Sequence, residues 1–254
     1  MRGRLFTLVT AGIVAVAVGV AAVVLGPPAF ERMLRDYLQQ HPEVVVEAID
    51  LYHQREEANA DNRQRALLAE RDNELRFDTR SPILGNPNGD VTVVEFFDYK
   101  CPFCRQLHPQ IAPLLAAEPG VRLVLKEFAI LGPESTAAAR ASIAVWMRTP
   151  TRFEAFHDAM MRATGRLDET TILRLAREAG IDADGLMLDM ADPKIDRIIA
   201  ETNVLAHAIG VNGTPGLVIG DTVVPGYIDA AEIRRLIAQA RQSCVSCRAR
   251  AVTN

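Results

Sequence analysis

Cys101-Pro102-Phe103-Cys104 sets two thiols one helical turn apart. Thiols so spaced exchange disulfides, share a metal ion, or close a structural disulfide. Position narrows the choice. The β-branched and aromatic run Val91–Phe97 reads as a buried strand ending at Asp98, and a helical pattern covers Pro102 to Ala117. The pair therefore falls where a strand hands over to a helix, the context that gives the motif redox meaning. At a helix start the unpaired N–H groups and the dipole favour a thiolate, with pKa values lowered to roughly 3.5–7.5. Cys101 is the nucleophile by position, and Cys104, facing inward, is placed to attack the mixed disulfide that Cys101 forms with a client thiol.

Other residues bear on the same chemistry. Glu95 stands in the middle of the apolar strand, six residues before Cys101, and a buried carboxylate is costly unless it has a use. It reads as a proton relay for Cys104, against the plainer reading of a carboxylate paired with Lys126. Asp98 reads as a turn residue. His108 lies one turn after Cys104, either touching the site or simply packed on its helix. Gly213-Thr214-Pro215-Gly216 runs straight into the apolar strand Leu217–Ile219, and proline is unusual at a strand entry. A zinc site would need two ligands beyond Cys101 and Cys104. Cys244 and Cys247 form a second C-x-x-C in the tail, read as a local disulfide or as an accessory redox or metal-binding pair. Met147, Met160, Met161, Met187 and Met190 are either an adaptable apolar surface or ordinary core.

The elements that must position these groups emerge from periodicity. After the strand and helix, Val121–Phe128 reads as a second strand, completing a βαβ unit with the cysteines at the helix start. Helical patterns without a strand fill 134–209. Strand signals return at Gly216–Ile219 and Thr222–Val224, and a helix closes the domain from Asp229 to Gln242, with Asp229 as its cap. The fold class is α/β: a thioredoxin plan with an inserted helical domain, preceded by N-terminal helices. One of these carries Phe30, Met33, Leu34, Tyr37 and Leu38 on one face. A second starts at Pro42 with Val44, Val45, Ile49 and Tyr52, then becomes almost wholly polar from His53 to Arg76. The pair reads as a self-association segment on a solvated stalk, or as two helices folded against the catalytic domain. The turn residues of 81–89 mark the boundary.

Arg2 and Arg4 precede an uncharged run from Leu5 to Leu25, long enough to cross a hydrocarbon core of roughly 30 Å. Positive charge before the run implies that the chain beyond Leu25 is exported, with the run either cleaved as a signal or kept as an anchor. Paired cysteines suit the oxidising compartment on the far side. The expected organisation is 1–28 signal or anchor, 29–80 helical segment and stalk, 81–242 catalytic domain, and 243–254 tail. A net charge of −4, with basic residues scattered among acids, argues against a nucleic-acid partner.

Phe96-Phe97-Asp98-Tyr99-Lys100-Cys101-Pro102-Phe103-Cys104, Lys126-Glu127-Phe128 with Leu131-Gly132-Pro133-Glu134-Ser135, and Gly213-Thr214-Pro215 resemble the DsbA-like family. Within it the chain is most similar to the ScsC-like branch, whose N-terminal oligomerisation segment residues 30–76 resemble. The resemblance implies a periplasmic dithiol-disulfide oxidase or isomerase with no bound cofactor. Its partners would be unfolded or misoxidised exported proteins and a membrane redox protein that resets the cysteines. It also implies a cis bond before Pro215, lying beside the active-site pair, with Pro102, Phe103, Thr214 and Pro215 meeting the client. Strongly oxidising members have histidine where this chain has Phe103, which implies a less acidic Cys101 and a less oxidising disulfide. The alternative function is a periplasmic copper- or zinc-binding protein using both C-x-x-C pairs.

Overall fold

The computed structural model describes residues 19–20 and 27–243. The expected apolar segment, apart from residues 19–20, and the Cys244/Cys247 pair lie outside them. Among the described residues no helix is long and apolar enough to cross a membrane. The chain divides into two units, residues 1–61 and 62–254.

The first unit holds helix α1 (Pro27–Gln40) and the start of helix α2 (Pro42–Glu70). Proline suits the first helical position because the N–H it lacks would be unpaired there anyway. Met33, Leu34 and Tyr37 of α1 and Val44, Val45, Ile49 and Tyr52 of α2 are exposed, while Phe30 and Leu38 are half-buried.

The second unit is built on a five-stranded sheet ordered β1-β3-β2-β4-β5. The strands are β1 (Ile83–Gly85), β2 (Val91–Phe97), β3 (Val121–Glu127), β4 (Gly216–Ile219) and β5 (Thr222–Val224). β2 and β3 run parallel, joined through helix α4 (Pro102–Ala117), and the remaining pairs are antiparallel. Every residue of β2 and β3 is buried, as expected of strands covered on both faces.

Strand alternation sorts the side chains into two cores. Val91, Val93 and Phe97, with Leu123 and Leu125, pack with Leu107 and Ile111 of α4 and with the C-terminal helix α10 (Ala230–Ser243). Val94, Phe96, Val124 and Val218 pack on the opposite face with Leu68 and Leu75. Leu75 lies on the short helix α3 (Asp72–Arg76).

Two expectations change here. Ile83–Gly85, which runs from between the expected boundary turns at Ser81-Pro82 and 85–89 into the second of them, is an antiparallel edge strand on β3. Its end bends through Gly85 at φ +74°, where a Cβ would meet the Val121 carbonyl oxygen at 2.7 Å. The polar stretch His53–Arg76 is not solvated to its end, because Leu68, Leu75 and Arg76 are buried. The compact unit accordingly starts at Asn62, well before 81. Three leucines, Leu67, Leu68 and Leu75, among eleven charged residues leave a helical stripe too sparse to read as a core face.

The insertion comes after β3. It comprises α5 (Pro133–Arg148), a 3-10 turn at Pro150–Arg152, α6 (Phe153–Arg162), α7 (Glu169–Glu178), α8 (Ala183–Met190) and α9 (Pro193–Ala208). Asp168 and Asp192 cap α7 and α9, accepting from Thr171 N at 3.0 Å and Lys194 N at 2.9 Å. Asp229 caps α10 through Glu232 N at 2.9 Å.

Candidate active site

Cys101 is the N-cap of α4, in extended conformation, with Pro102 at the first helical position. Its own N–H donates to Asp98 O at 3.0 Å, closing the turn that ends β2. In its protonated form the thiol donates to the Thr214 carbonyl at 3.1 Å. The Thr214–Pro215 peptide is cis, as the resemblance implied. Because Gly216 pairs with Phe96, β4 begins beside the end of β2 and delivers Thr214 to the sulfur.

Cys101 and Cys104 are both free thiols, and their proton affinities are driven apart. The Cys104 S–H donates to the Cys101 sulfur; the Thr214 side chain and the N–H groups of Cys104 and Phe103 add to this. Against the cost of burial these bring Cys101 from 9.0 down to about 5. Cys104 moves upward, because its proton is held in that hydrogen bond and because it is fully buried near Glu95. At neutral pH one sulfur is an anion and the other keeps its proton. Phe103 thus serves the thiolate through its backbone N–H, while its ring is 55% exposed, 6.3 Å from the Tyr227 ring. Pro102 is exposed beside it, and Ile130 and Leu131 expose further apolar surface.

Glu95 is buried on the Cys101 face of the sheet. Burial, and then the Cys101 charge, raise it to about 7. The alternative pairing with Lys126 fails on parity. Glu95 sits opposite Leu125, so Lys126 points to the other face, where its ammonium donates to the Glu74 carbonyl at 2.5 Å and lies 3.4 Å from Asp78.

Asp98 is a turn residue as read, and more. One carboxylate oxygen accepts from Lys100 N at 2.8 Å, the other from Ile130 N and Leu131 N at 3.0 and 3.1 Å. His108 is packed on its helix, 2.9 Å from Asp158. Met160 and Met161 are core, Met190 is half-buried, and Met147 and Met187 are about half exposed. Three groups escaped the sequence reading: Glu127, buried with burial raising its pKa well above the carboxylate range, and the buried pair Tyr99 and His157. The signal for Glu127 was a second acid in an apolar strand; for His157, a lone imidazole in the apolar helix Phe153–Met161.

Residues 92–238 match the family model of the DSBA-like thioredoxin domain, more than half of the chain. The chain belongs to that family. Residues 29–59 match a second model, the N-terminal domain of copper resistance protein ScsC. Among solved structures, a thioredoxin-like oxidoreductase from Silicibacter pomeroyi is 44% identical, covering 68% of this chain and 98% of its own, with a TM-score of 0.65. The catalytic domain of Proteus mirabilis ScsC is 26% identical, covering 70% and 99%, also at 0.65. Disulfide bond formation protein D of Bacillus subtilis is 26% identical over 61% of this chain and 75% of its own length. These DSBA-like relatives make the chain a thiol-disulfide oxidoreductase of the DsbA and ScsC type.

Proposed function

We propose that the chain exchanges disulfides with exported proteins in the periplasm through Cys101 and Cys104. The observation that carries this is the inequality of the two sulfurs: an acidic Cys101 beside exposed Pro102 and Phe103, and a buried, protonated Cys104 beneath it. When the pair is oxidised, a client thiolate attacks the Cys101 sulfur. The Cys101–Cys104 bond breaks, a mixed disulfide forms, and the departing Cys104 sulfur takes its proton from Glu95. In reverse, Cys104 gives its proton to Glu95 and attacks Cys101, releasing the client thiolate.

Reduced protein acts as an isomerase by attacking a wrong client disulfide through Cys101 and being displaced by another client thiolate, with no net transfer of electrons. The exposed apolar faces of α1 and early α2 support self-association through residues 30–76, which would hold several thiolates near one client. A membrane redox partner would reset the pair, and an anchor at 5–25 would keep the protein beside it. Among the described residues no group of three His, Cys, Asp or Glu side chains is arranged to hold a metal ion, and the Cys244 and Cys247 of the copper- or zinc-binding alternative lie outside them.

The test is Cys104→Ser in the full chain, presented with a partly reduced client. Mixed disulfides through Cys101 should accumulate, because the resolving attack is missing. Persistent absence of adducts, with Cys101 reactive toward iodoacetamide, would overturn the assignment.

A further inference from the structure

Between β2 and Cys101, the N-cap of α4, stand only Asp98, Tyr99 and Lys100, yet each is tied to the insertion or to the loop that leads into it. Asp98 accepts from the N–H groups of Ile130 and Leu131. Lys100 bridges to Glu134 at 2.8 Å, and Glu134 in turn holds Arg166 at 2.9 Å and Leu167 N at 3.2 Å. Arg105 joins the Tyr99 carbonyl, at 2.6 Å, to the Ala163 carbonyl at the end of α6, at 2.5 Å.

Tyr99 is the tie that is buried. Its hydroxyl lies 3.0 Å from Ser142 Oγ on α5 and 2.8 Å from His157 Nδ1 on α6, and its ring meets Phe97 and His157 edge-on at 5.1 and 5.4 Å. Ser142 also acts on the Glu127 carboxyl, drawing its pKa down against the burial that raises it, while Glu127 Oε1 has no hydrogen-bond partner.

Counting protons orders this chain. A phenol has one, and giving it to Ser142 Oγ leaves His157 Nδ1–H as the donor to the phenol oxygen. The three groups then point in one direction, from α6 through the active-site segment to α5. His157 serves as a neutral imidazole, since burial, and then the neighbouring His108, hold it down to about 3 against the pull of Asp158. Such a chain reinforces itself bond by bond and fixes Tyr99 more firmly than any exposed contact.

We propose that Tyr99 is a positioning residue for Cys101, and that through its chain to His157 and Ser142 the helical insertion holds the nucleophile in place. The acidity of Cys101 depends on its sulfur lying within reach of the Cys104 S–H, the Thr214 side chain and two N–H groups at once. Cys101 is two residues from the phenol and hangs from the same turn by its N–H to Asp98 O. If Tyr99 moves, the sulfur leaves that convergence. This deepens the reading of Cys101 as nucleophile and rests on it.

The experiment uses Tyr99→Phe in the full chain, which keeps both ring contacts and removes the hydroxyl. Thiolate absorbance should show the Cys101 midpoint raised by about one pH unit, which shifts its equilibrium with glutathione by up to about tenfold toward the disulfide at neutral pH. Ser142→Ala should shift both in the same direction, and the double variant should go no further than Tyr99→Phe. Should Tyr99→Phe fail to fold, Ser142→Ala carries the test alone. Leu175→Ala, a core truncation on α7, should lower the melting temperature and leave both readouts at parent values. A parent-like midpoint and equilibrium in Tyr99→Phe, or an equal shift in Leu175→Ala, would overturn the proposal. The titration needs no client, so its outcome is separate from whether the parent exchanges disulfides at all.

Discussion

The two faces of the central sheet bury opposite charges in opposite ways. On the face away from the thiols the buried charges are cations, and each donates to a carbonyl or carboxylate acceptor. Arg76 pairs with Asp72 and the Gly220 carbonyl, Arg122 donates to the Arg76 carbonyl at 2.5 Å, and Lys126 donates to the Glu74 carbonyl beside Asp78. On the thiol face the buried charges are the carboxyls Glu95 and Glu127, and no basic side chain offsets the burial that raises them. A matched buried ion holds structure, because breaking the match strands its partner. An unmatched buried acid keeps a proton it can release near neutral pH, and that is useful only where protons move. The direction in which a strand residue points thus separates stability from chemistry.

Breaking the matched face should have the largest effect. Arg76→Ala strands Asp72 and the Gly220 carbonyl and should cost about 3–5 kcal/mol in denaturant unfolding. The exchange rate per folded molecule should stay within twofold. A rate loss comparable to the stability loss would erase the distinction between the faces.

Glu95→Gln tests the other face, and here the effects reverse. Resolution of a mixed disulfide by Cys104 should slow about 10- to 100-fold. In the parent that rate should rise with pH through about 7, as Glu95 becomes the carboxylate that accepts the Cys104 proton, and the variant should lose this rise. The stability sign comes from the raised value: the parent holds its full stability below about 4.5 and loses it as pH climbs through about 7. The glutamine variant should therefore gain on the parent in thermal unfolding between pH 5 and 8. A variant less stable than the parent at pH 8 would argue that Glu95 is matched after all.

The smallest effect on the site should come from removing everything before Asn62. The Cys101 titration should not move by more than a few tenths of a pH unit, while sedimentation should show loss of self-association and refolding of a scrambled disulfide protein should fall. A Cys101 shift of a full unit would mean that the N-terminal helices act on the thiol directly.

Much of this was legible in the sequence because the site is built from local signals. The run Val91–Phe97, Pro102 after Cys101, and Gly213-Thr214-Pro215 each announce their own backbone, and the structure places them together. What the sequence did not show depends on partners far along the chain. β1 is three residues long, too short for alternation to register, and exists because β3 offers it an edge. Leu68 and Leu75 look stray among charges until Val94, Phe96 and Val218 supply the surface they fill. The role of Tyr99 is written 43 and 58 residues away, in Ser142 and His157, and no local pattern links them.

Lys126 and Glu127 are neighbours in sequence and opposites in space. The pleat of β3 sends one under α3 and the other toward the insertion, in a register fixed by Phe97 opposite Glu127. A slip of a single residue would trade them, setting an ammonium on the redox side and a carboxylate among the paired cations. A fixed positive charge there would hold Glu95 ionised at every working pH and silence it as a proton carrier. The alignment of two strands, with no change in any side chain, therefore decides whether this protein has a base beneath its thiols or an inert salt.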